Sequence, residues 1–411
     1  MQRRAIPIII AILAVRSERV INMETNTKQI KDLCRLYRSN SKIGLVLGAG
    51  ISCGSGVPLY EKMTLQVCRA LAAQTDGKEI PAISFLAEQL ALREELGDET
   101  DAQQRVALEN KIIQIEPEEI AQLIKTCLSK TEEHALIRQI KDVLYAGKPN
   151  FSRKNTPLKH SMVKDSVFRD NPTLDAVITF CAACPDSGVA YYSKQKHNME
   201  KNAKVGGILT TNYDNLVEGA FGTKFGRELL HPVGRVTSDD LKPENIPVYH
   251  IHGYVSYVVP DNPSNGIKAS EKLVFAEEDY FRTSYDPLGF SSYIAMSFLR
   301  RYPCLFIGCS MKDKNMRRFL FQLLQEKKSA PEKDEKRYFA ILKSQGTNYD
   351  DFIAAVLLSY GVDTIWVKDY CEIARILETV YNAANGVEGN WQKLKEYKRN
   401  ATDANPAGTG S

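Results

Sequence analysis

Residues 43–58 read IGLVLGAGISCGSGVP, and no other stretch constrains the fold as much. An apolar run from Ile43 to Leu47 stops abruptly at Gly48-Ala49-Gly50 and Ser52. A run that short, bounded by glycine, suits a strand buried on both faces of a parallel sheet. Glycine permits positive φ and close backbone approach, so the turn can lie directly against a ligand. A helix starting just beyond it would aim free N–H groups at that ligand, with an anionic phosphate the natural guest. Neither common nucleotide rule is met, however. The G-x-G-x-x-G fingerprint needs a third glycine where Cys53 stands, and no clear strand ending in Asp or Glu follows about 20 residues on. A P-loop needs Lys then Ser or Thr after its glycines, whereas Gly56 is followed by Val57 and Pro58. A tight strand–helix turn with no ligand is the alternative.

The rest of the chain supplies an α/β context. Helical spacing places Ile30, Leu33, Cys34 and Tyr37 on one face of a helix over 28–37, and a second helix covers 59–73. From 80 to 150 the sequence is rich in Glu, Gln, Lys, Leu and Ala, and predicts helices over 80–96, 102–115, 117–128 and 131–145. Pro117 with Glu118 and Glu119 makes a good first turn, and Ser129 with Glu132 a capping box. Residues 148–171 form a polar, basic loop, and 172–184 a helix. Short strands are then predicted at 205–210, 246–253, 273–280, 303–308, 337–342 and 364–367, with helices over 215–221, 288–301, 316–324 and 373–381. Pattern is lost from about Gly389, and the last dozen residues are small and polar, as in a disordered tail.

The expected fold class is therefore α/β: a Rossmann-like, doubly wound parallel sheet with helices on both faces, plus an all-helical insertion. The expected units are an N-terminal segment at 1–27, an α/β domain built from 28–79 and 172–385, a helical insertion at 80–171, and a tail at 386–411. With 411 residues, a net charge of +4 and 25% charged residues, the chain suits a globular protein and is too mildly basic to argue for nucleic acid. Nine scattered cysteines favour a reducing, cytoplasmic setting. Cys181-Ala-Ala-Cys184 is a lone CxxC without a second ligand pair, so no metal is expected. Arg3 and Arg4 precede an apolar run over 5–15 that is shorter than the roughly 20 residues a membrane span needs. It reads first as a buried or self-associating segment, then as a weak membrane contact or a mis-assigned start ahead of Met23.

In doubly wound sheets, ligands bind at the carboxyl ends of the strands. Four such ends carry chemistry: Gly48–Ser52, Thr210–Asp214, His250–Gly253 and Gly308–Ser310. Asn212 can donate and accept at once, and Asp214 can accept from ribose hydroxyls; both could equally cap the next helix. His252, before Gly253, suits general-base work at neutral pH, with His250 on the same strand face as a packing residue. Ser310 and Asp313 can cap a helix or meet a ribose, while Arg317 and Arg318 read as a solvated helix face.

Taken in order, GAGIS with GVP, TTNYD, HIHG and GCS resemble the sirtuin superfamily. They look more like its divergent bacterial branch of anti-phage defence proteins than like the protein deacylases. The resemblance covers 43–310 and extends toward Tyr381. It implies NAD as ligand and substrate. Gly48, Ala49, Gly50 and Ser52 would line the pyrophosphate. Asn212 would hold the nicotinamide ribose and a water, with Thr211 and Asp214 beside it, and His252 would be the catalytic base. Gly308, Ser310 and Asp313 would lie on the adenosine side. Deacylating relatives continue Asp-Phe-Arg where this chain has Leu59, Tyr60 and Glu61, and they carry a four-cysteine zinc ribbon that this chain lacks. Hydrolysis of the nicotinamide–ribose bond is the simplest reaction left. The resemblance thus implies an NAD glycohydrolase that depletes NAD in bacterial anti-phage immunity. It would be gated by homo-oligomerisation, by a separately encoded partner such as a translocase-type ATPase, or by the helical insertion. Protein deacylation, ADP-ribosyl transfer and non-catalytic sensing of NAD or ADP-ribose are the competing readings.

Overall fold

The structure, a computed structural model, describes residues 23–39, 42–72, 101–113, 115–127, 133–145, 166–183, 204–225, 229–234, 245–255, 273–329, 338–385 and 390–395, with helical pieces between 85 and 96. Its centre is a seven-stranded sheet: β1 (Ile43–Leu47), β2 (Val205–Thr210), β3 (Leu230–Val233), β4 (Ile246–His250), β5 (Cys304–Ile307), β6 (Tyr338–Lys343) and β7 (Val362–Val367). The order is β3-β4-β2-β1-β5-β6-β7, and every neighbouring pair is parallel. The chain leaves β1 toward β2 and β4 on one side, then returns to build β5, β6 and β7 on the other. The winding therefore reverses at β1, and the carboxyl end of β1 is the switch point where such sheets bind ligands.

Side-chain alternation divides the strands between two cores. Leu45, Leu47, Ile208, Leu305, Ile307, Phe339 and Ile341 point into one core, and Val46, Leu209, Phe306, Ala340 and Leu342 into the other. The first core is covered by helices Met23–Arg38, Tyr60–Ala72, Pro172–Ala182, Leu216–Phe225 and Glu372–Asn385, and the second by Phe290–Arg301, Lys314–Ser329 and Thr347–Leu358. Burial on both faces explains why β1, β5 and most of β6 read as unbroken apolar runs. Ile120, Ile124, Leu136, Ile140 and Leu144, from helices Pro117–Cys127 and Glu133–Tyr145, join the first core beside Met63 and Val67. The helices between β1 and β2 thus share a core with the sheet.

Two expectations about strands are corrected. Residues 273–280 are not a strand: Leu273 to Phe275 belong to no strand or helix, and Glu277–Tyr285 is a helix. Glu277, Glu278 and Asp279 fill its first turn, and Asp279 Oδ2 accepts from the backbone N–H of Ala276 at 3.0 Å. Acids at a helix start were the overlooked signal. The missing strand is β3, whose Pro232 argues against a strand except at a sheet edge, and β3 is the edge.

Helices also differ in extent. Thr347–Leu358 was not foreseen, and the first helix begins at Met23. Asn26 there exchanges hydrogen bonds with both backbone groups of Trp366, at 2.6 and 2.9 Å, on edge strand β7. The expected loss of pattern past Gly389 is corrected in part by helix Asn390–Lys395, whose Trp391 is buried 5.5 Å from the Tyr381 ring. The 129/132 capping box, the 5–15 run, Cys184 and the end of the tail lie outside the described residues. Among the described residues, no helix is long and apolar enough to cross a membrane.

Glycines within β1 and β2 make room for rings. A Cβ on Gly44 would lie 2.6 Å from Phe298 Cε1, and one on Gly207 3.0 Å from Phe298 Cε2. The Phe298 ring therefore packs directly against the Gly44 and Gly207 backbone. Gly44→Val should push the ring off the sheet and destabilise the protein by about 1–3 kcal/mol, as overpacked cores do. The check is a lowered urea midpoint at unchanged slope. A midpoint at the parent value would show that the ring can move aside freely.

Candidate functional site

The strand ends that carry chemistry lie side by side, because β4, β2, β1 and β5 are consecutive neighbours. Two clusters form there. In the first, Ser52 Oγ donates to Asp214 Oδ1 at 2.9 Å and accepts from Asn212 Nδ2 at 3.4 Å, all three side chains being buried. Thr210 Oγ1 donates to Leu47 O at 3.0 Å and accepts from the Asn212 N–H at 3.1 Å, which joins the end of β2 to the end of β1. Thr211 contributes its N–H to Leu47 O at 3.4 Å. Asn212 is 5% exposed, and its Oδ1 has no hydrogen-bond partner in the protein. Such a group costs free energy unless something else donates to it.

Asp214 serves as both cap and cluster member: its Oδ1 also accepts from Leu216 N–H at 3.2 Å. Burial raises its pKa above the usual carboxylate range, while the Ser52 and Leu216 hydrogen bonds pull the other way.

The second cluster surrounds His252. The β4 strand ends at His250, and a turn with Gly253 at φ 77° follows. His252 therefore does not share a strand face with His250, as alternation alone suggested. Its Nε2 lies 3.9 Å from Asp313 Oδ2, and its ring stands edge-on to Tyr280 at 5.5 Å. The His252 carbonyl accepts from Val274 N–H at 3.0 Å. The neighbouring segment is held by tyrosines: Tyr213 OH donates to Val274 O and Tyr60 OH to Phe275 O.

His250 is ruled out as a base by its partners. Its Nδ1 faces the Asn212 carbonyl at 3.1 Å, which can only accept, and its Nε2 faces Glu218 Oε1 at 2.7 Å. Both ring nitrogens are thereby engaged as donors. Burial opposes the imidazolium, but Glu218 and the Asn212 carbonyl outweigh it and raise the pKa above 6.5. This pair fixes the peptide that carries Asn212.

The glycine turn differs from its sequence reading. Only one helical turn, Gly50–Cys53, follows β1. The N–H groups of Gly48, Gly50, Ile51 and Ser52 are bonded to Ile307 O, Gly308 O, Gly48 O and Ala49 O at 3.0–3.2 Å. The free anion-binding donors expected of a helix start are thus engaged within the protein. A Cβ on Gly48 or Gly50 would meet Gly308 O at 2.5 or 2.8 Å, so contact with the β5 turn itself demands glycine. Gly308 sits at φ 68° against Ile51. Ala49 is half-buried, and Ser310 is exposed with its Oγ accepting from Lys312 N–H at 3.3 Å. Arg317 and Arg318 do not form a solvated face: Arg317 Nε donates to Met311 O at 2.6 Å, and Arg318 donates to Ser284 O and Thr283 O.

Three contributors were missed in the sequence. Asn171 Nδ2 donates to Ile51 O at 2.7 Å and Ser55 Oγ at 2.9 Å while its Oδ1 caps helix Pro172–Ala182, so it braces the glycine turn. The Asn171-Pro172 pair, a helix-start signal, could have marked the cap but not the brace. Glu218 and Tyr280 left no local signal of their roles. Among the described residues, no group of three His, Cys, Asp or Glu could hold a metal ion.

Residues 206–365 match the family model of the SIR2-like domain. The match supports a place for this chain in the sirtuin-like superfamily. It runs from β2 into β7, taking in Asn212, His252 and Asp313 but not the glycine turn after β1. No curated protein matches the chain. The SIR2-like match implies an involvement of NAD, and the unpartnered Asn212 oxygen in this SIR2-like region fits a hydroxyl or water donor.

The buried His250–Glu218 pair makes stability depend on pH. A histidine whose folded pKa is raised adds stability fully present below the unfolded value and lost as pH rises through the folded value. Asp214 acts in the same direction at lower pH, since its raised pKa makes ionisation costly above 3.8. The urea midpoint should therefore fall as pH is raised above 6.5, and Glu218→Gln should flatten that fall. An equally steep fall in Glu218→Gln would refute the assignment.

Proposed function

We propose that this chain is an NAD glycohydrolase, cleaving NAD to nicotinamide and ADP-ribose. The observation that carries the reading is the buried, unpartnered Oδ1 of Asn212, held beside Ser52 and Asp214 where the sheet reverses its winding. A ribose hydroxyl or an attacking water would supply the missing donor. The SIR2-like match, which takes in Asn212 and Asp214, supports NAD as the molecule bearing that hydroxyl.

In this reading Asn212 holds the nicotinamide ribose and a water, and Asp214 orients Asn212 through Ser52. The glycosidic C–N bond breaks, and nicotinamide leaves with the bonding electrons. Water oxygen bonds to the ribose carbon, and its proton passes to His252, directly or through a ribose hydroxyl. Gly48, Ala49, Gly50 and Ser52 would line the pyrophosphate, while Thr211, Gly308 and Ser310 border the site. His250, doubly engaged, keeps the Asn212 peptide in place.

The wider role we propose is that of an NAD-depleting effector in bacterial anti-phage defence, held in check by self-association or by a separately encoded partner. Helices of the proposed 80–171 insertion touch the site's edge. Lys125 pairs with Glu278 and Asp279 at 2.7 Å, and Gln122 Oε1 accepts from Glu278 N–H at 3.0 Å, next to the segment bonded to His252.

Purified protein given NAD alone should release nicotinamide without any acyl peptide, which separates hydrolysis from deacylation. His252→Ala should lose about 10²–10⁴-fold in rate, the usual contribution of a general base, and Asn212→Ala a comparable amount. Unchanged circular dichroism would show that the fold persists. Parent-level NAD consumption by both variants would overturn the assignment. Tight NAD binding without turnover, even with the native partner present, would favour a sensing module.

A further inference from the structure

We infer that Asp313 is a positioning residue for His252, setting the orientation and proton affinity of its imidazole; this rests on His252 being the base. One carboxylate oxygen, Oδ1, accepts from Met316 N–H at 2.6 Å and so caps helix Lys314–Ser329. The cap fixes the side chain and leaves Oδ2 directed at His252 Nε2, 3.9 Å away. That separation is within reach of shortening to a hydrogen bond once a ligand settles the imidazole, as catalytic contacts often do.

The loop that delivers Asp313 has the build of a functional element. Gly308 and Met311 both have left-handed backbones, at φ 68° and 57°. For a side chain such as Met311 this conformation is strained and persists only where surroundings enforce it. Here the Met311 side chain is buried in the second core, and its carbonyl is held by Arg317 Nε at 2.6 Å. The outcome is a sharp turn that aims Asp313 across the end of β5 toward the end of β4.

The charged and titratable groups around this pair come from three elements. Tyr280, on helix Glu277–Tyr285, faces His252, and its phenol is pushed up by burial and by the charges of Tyr60 and Asp313. Arg318, on the Asp313 helix, feels the same carboxylate, and Cys309 on the β5 turn is raised to about 12 by burial and by Asp313. Tyr280 and Cys309 are therefore neutral at physiological pH, and Arg318 directs its guanidinium to the Thr283 and Ser284 carbonyls. Asp313 is left as the anionic partner that faces the imidazole among these groups. A carboxylate there favours the imidazolium that forms when His252 accepts a proton.

The test uses the full-length chain and Asp313→Asn, whose amide oxygen preserves the helix cap. Asp313→Ser, which also caps, serves if the first variant fails to fold. The His252 ring resonance, assigned by its loss in His252→Gln, is titrated by NMR in parent and variant, and nicotinamide release is followed against pH. The His252 midpoint should move to lower pH in the variant, and the acidic limb of kcat/KM should move with it. A mis-set base forfeits part of the roughly 10²–10⁴-fold that a positioned one supplies, so kcat should fall about 10-fold or more. An unchanged His252 titration overturns the proposal whether or not NAD is cleaved. A shifted titration in a chain whose parent releases no nicotinamide, even with its native partner present, supports the pairing and removes the hydrolase reading instead.

Discussion

The contact between the turns after β1 and β5 governs this site. Gly48 and Gly50 lie against the Gly308 backbone so closely that no side chain fits between them. Two N–H groups of the first turn, from Gly48 and Gly50, bond to carbonyls at the end of β5. This locks together two chain segments separated by more than two hundred residues, at the point where the sheet reverses its winding. Ser52 and Asp313 are each a few residues beyond that contact, so their positions follow from it. A glycine-rich turn is usually read as adapted to a ligand, but here protein backbone is the first thing it accommodates.

Around that contact the site is assembled by polar groups that hold one another. Ser52 connects Asn212 and Asp214 across β1 and β2, and the His250–Glu218 pair holds the Asn212 peptide from below. Buried networks of this type are favourable only when nearly all their members are satisfied. The Asn212 oxygen is the exception, which marks where a ligand would complete the network. On the β4 side, two tyrosine hydroxyls and the His252 carbonyl hold the 273–275 segment. Its continuation into helix Glu277–Tyr285 meets Lys125 and Gln122. The helices between β1 and β2 are thereby joined to the His252 carbonyl by a short series of ion pairs and hydrogen bonds.

Much of this was legible in the amino-acid order, and the reasons are local. Buried parallel strands must be short and apolar on both faces, so β1, β2, β5, β6 and β7 stand out as runs. Edge strand β3 did not, because an edge tolerates Pro232 and polar neighbours, and a strand with only four residues carries little pattern. The 273–280 stretch misled because an apolar triplet followed by acids resembles a strand end as much as a helix start. Asn212, Asp214 and His252 could be picked out because polar residues directly after apolar runs mark strand ends.

The sequence by itself determined the α/β class, the parallel sheet and the strand tips that hold the polar residues, since apolar periodicity and glycine punctuation act over a few residues. Only the tertiary structure decided that both ring nitrogens of His250 are engaged, because that depends on Glu218 and the Asn212 carbonyl arriving from other elements. It also decided that the Gly48 and Gly50 N–H groups bond to the end of β5, that Asn171 braces the turn, and that Asp313 faces His252. Each of these is a contact between residues distant in the chain, and strand order, which local pattern does not encode, brings them together.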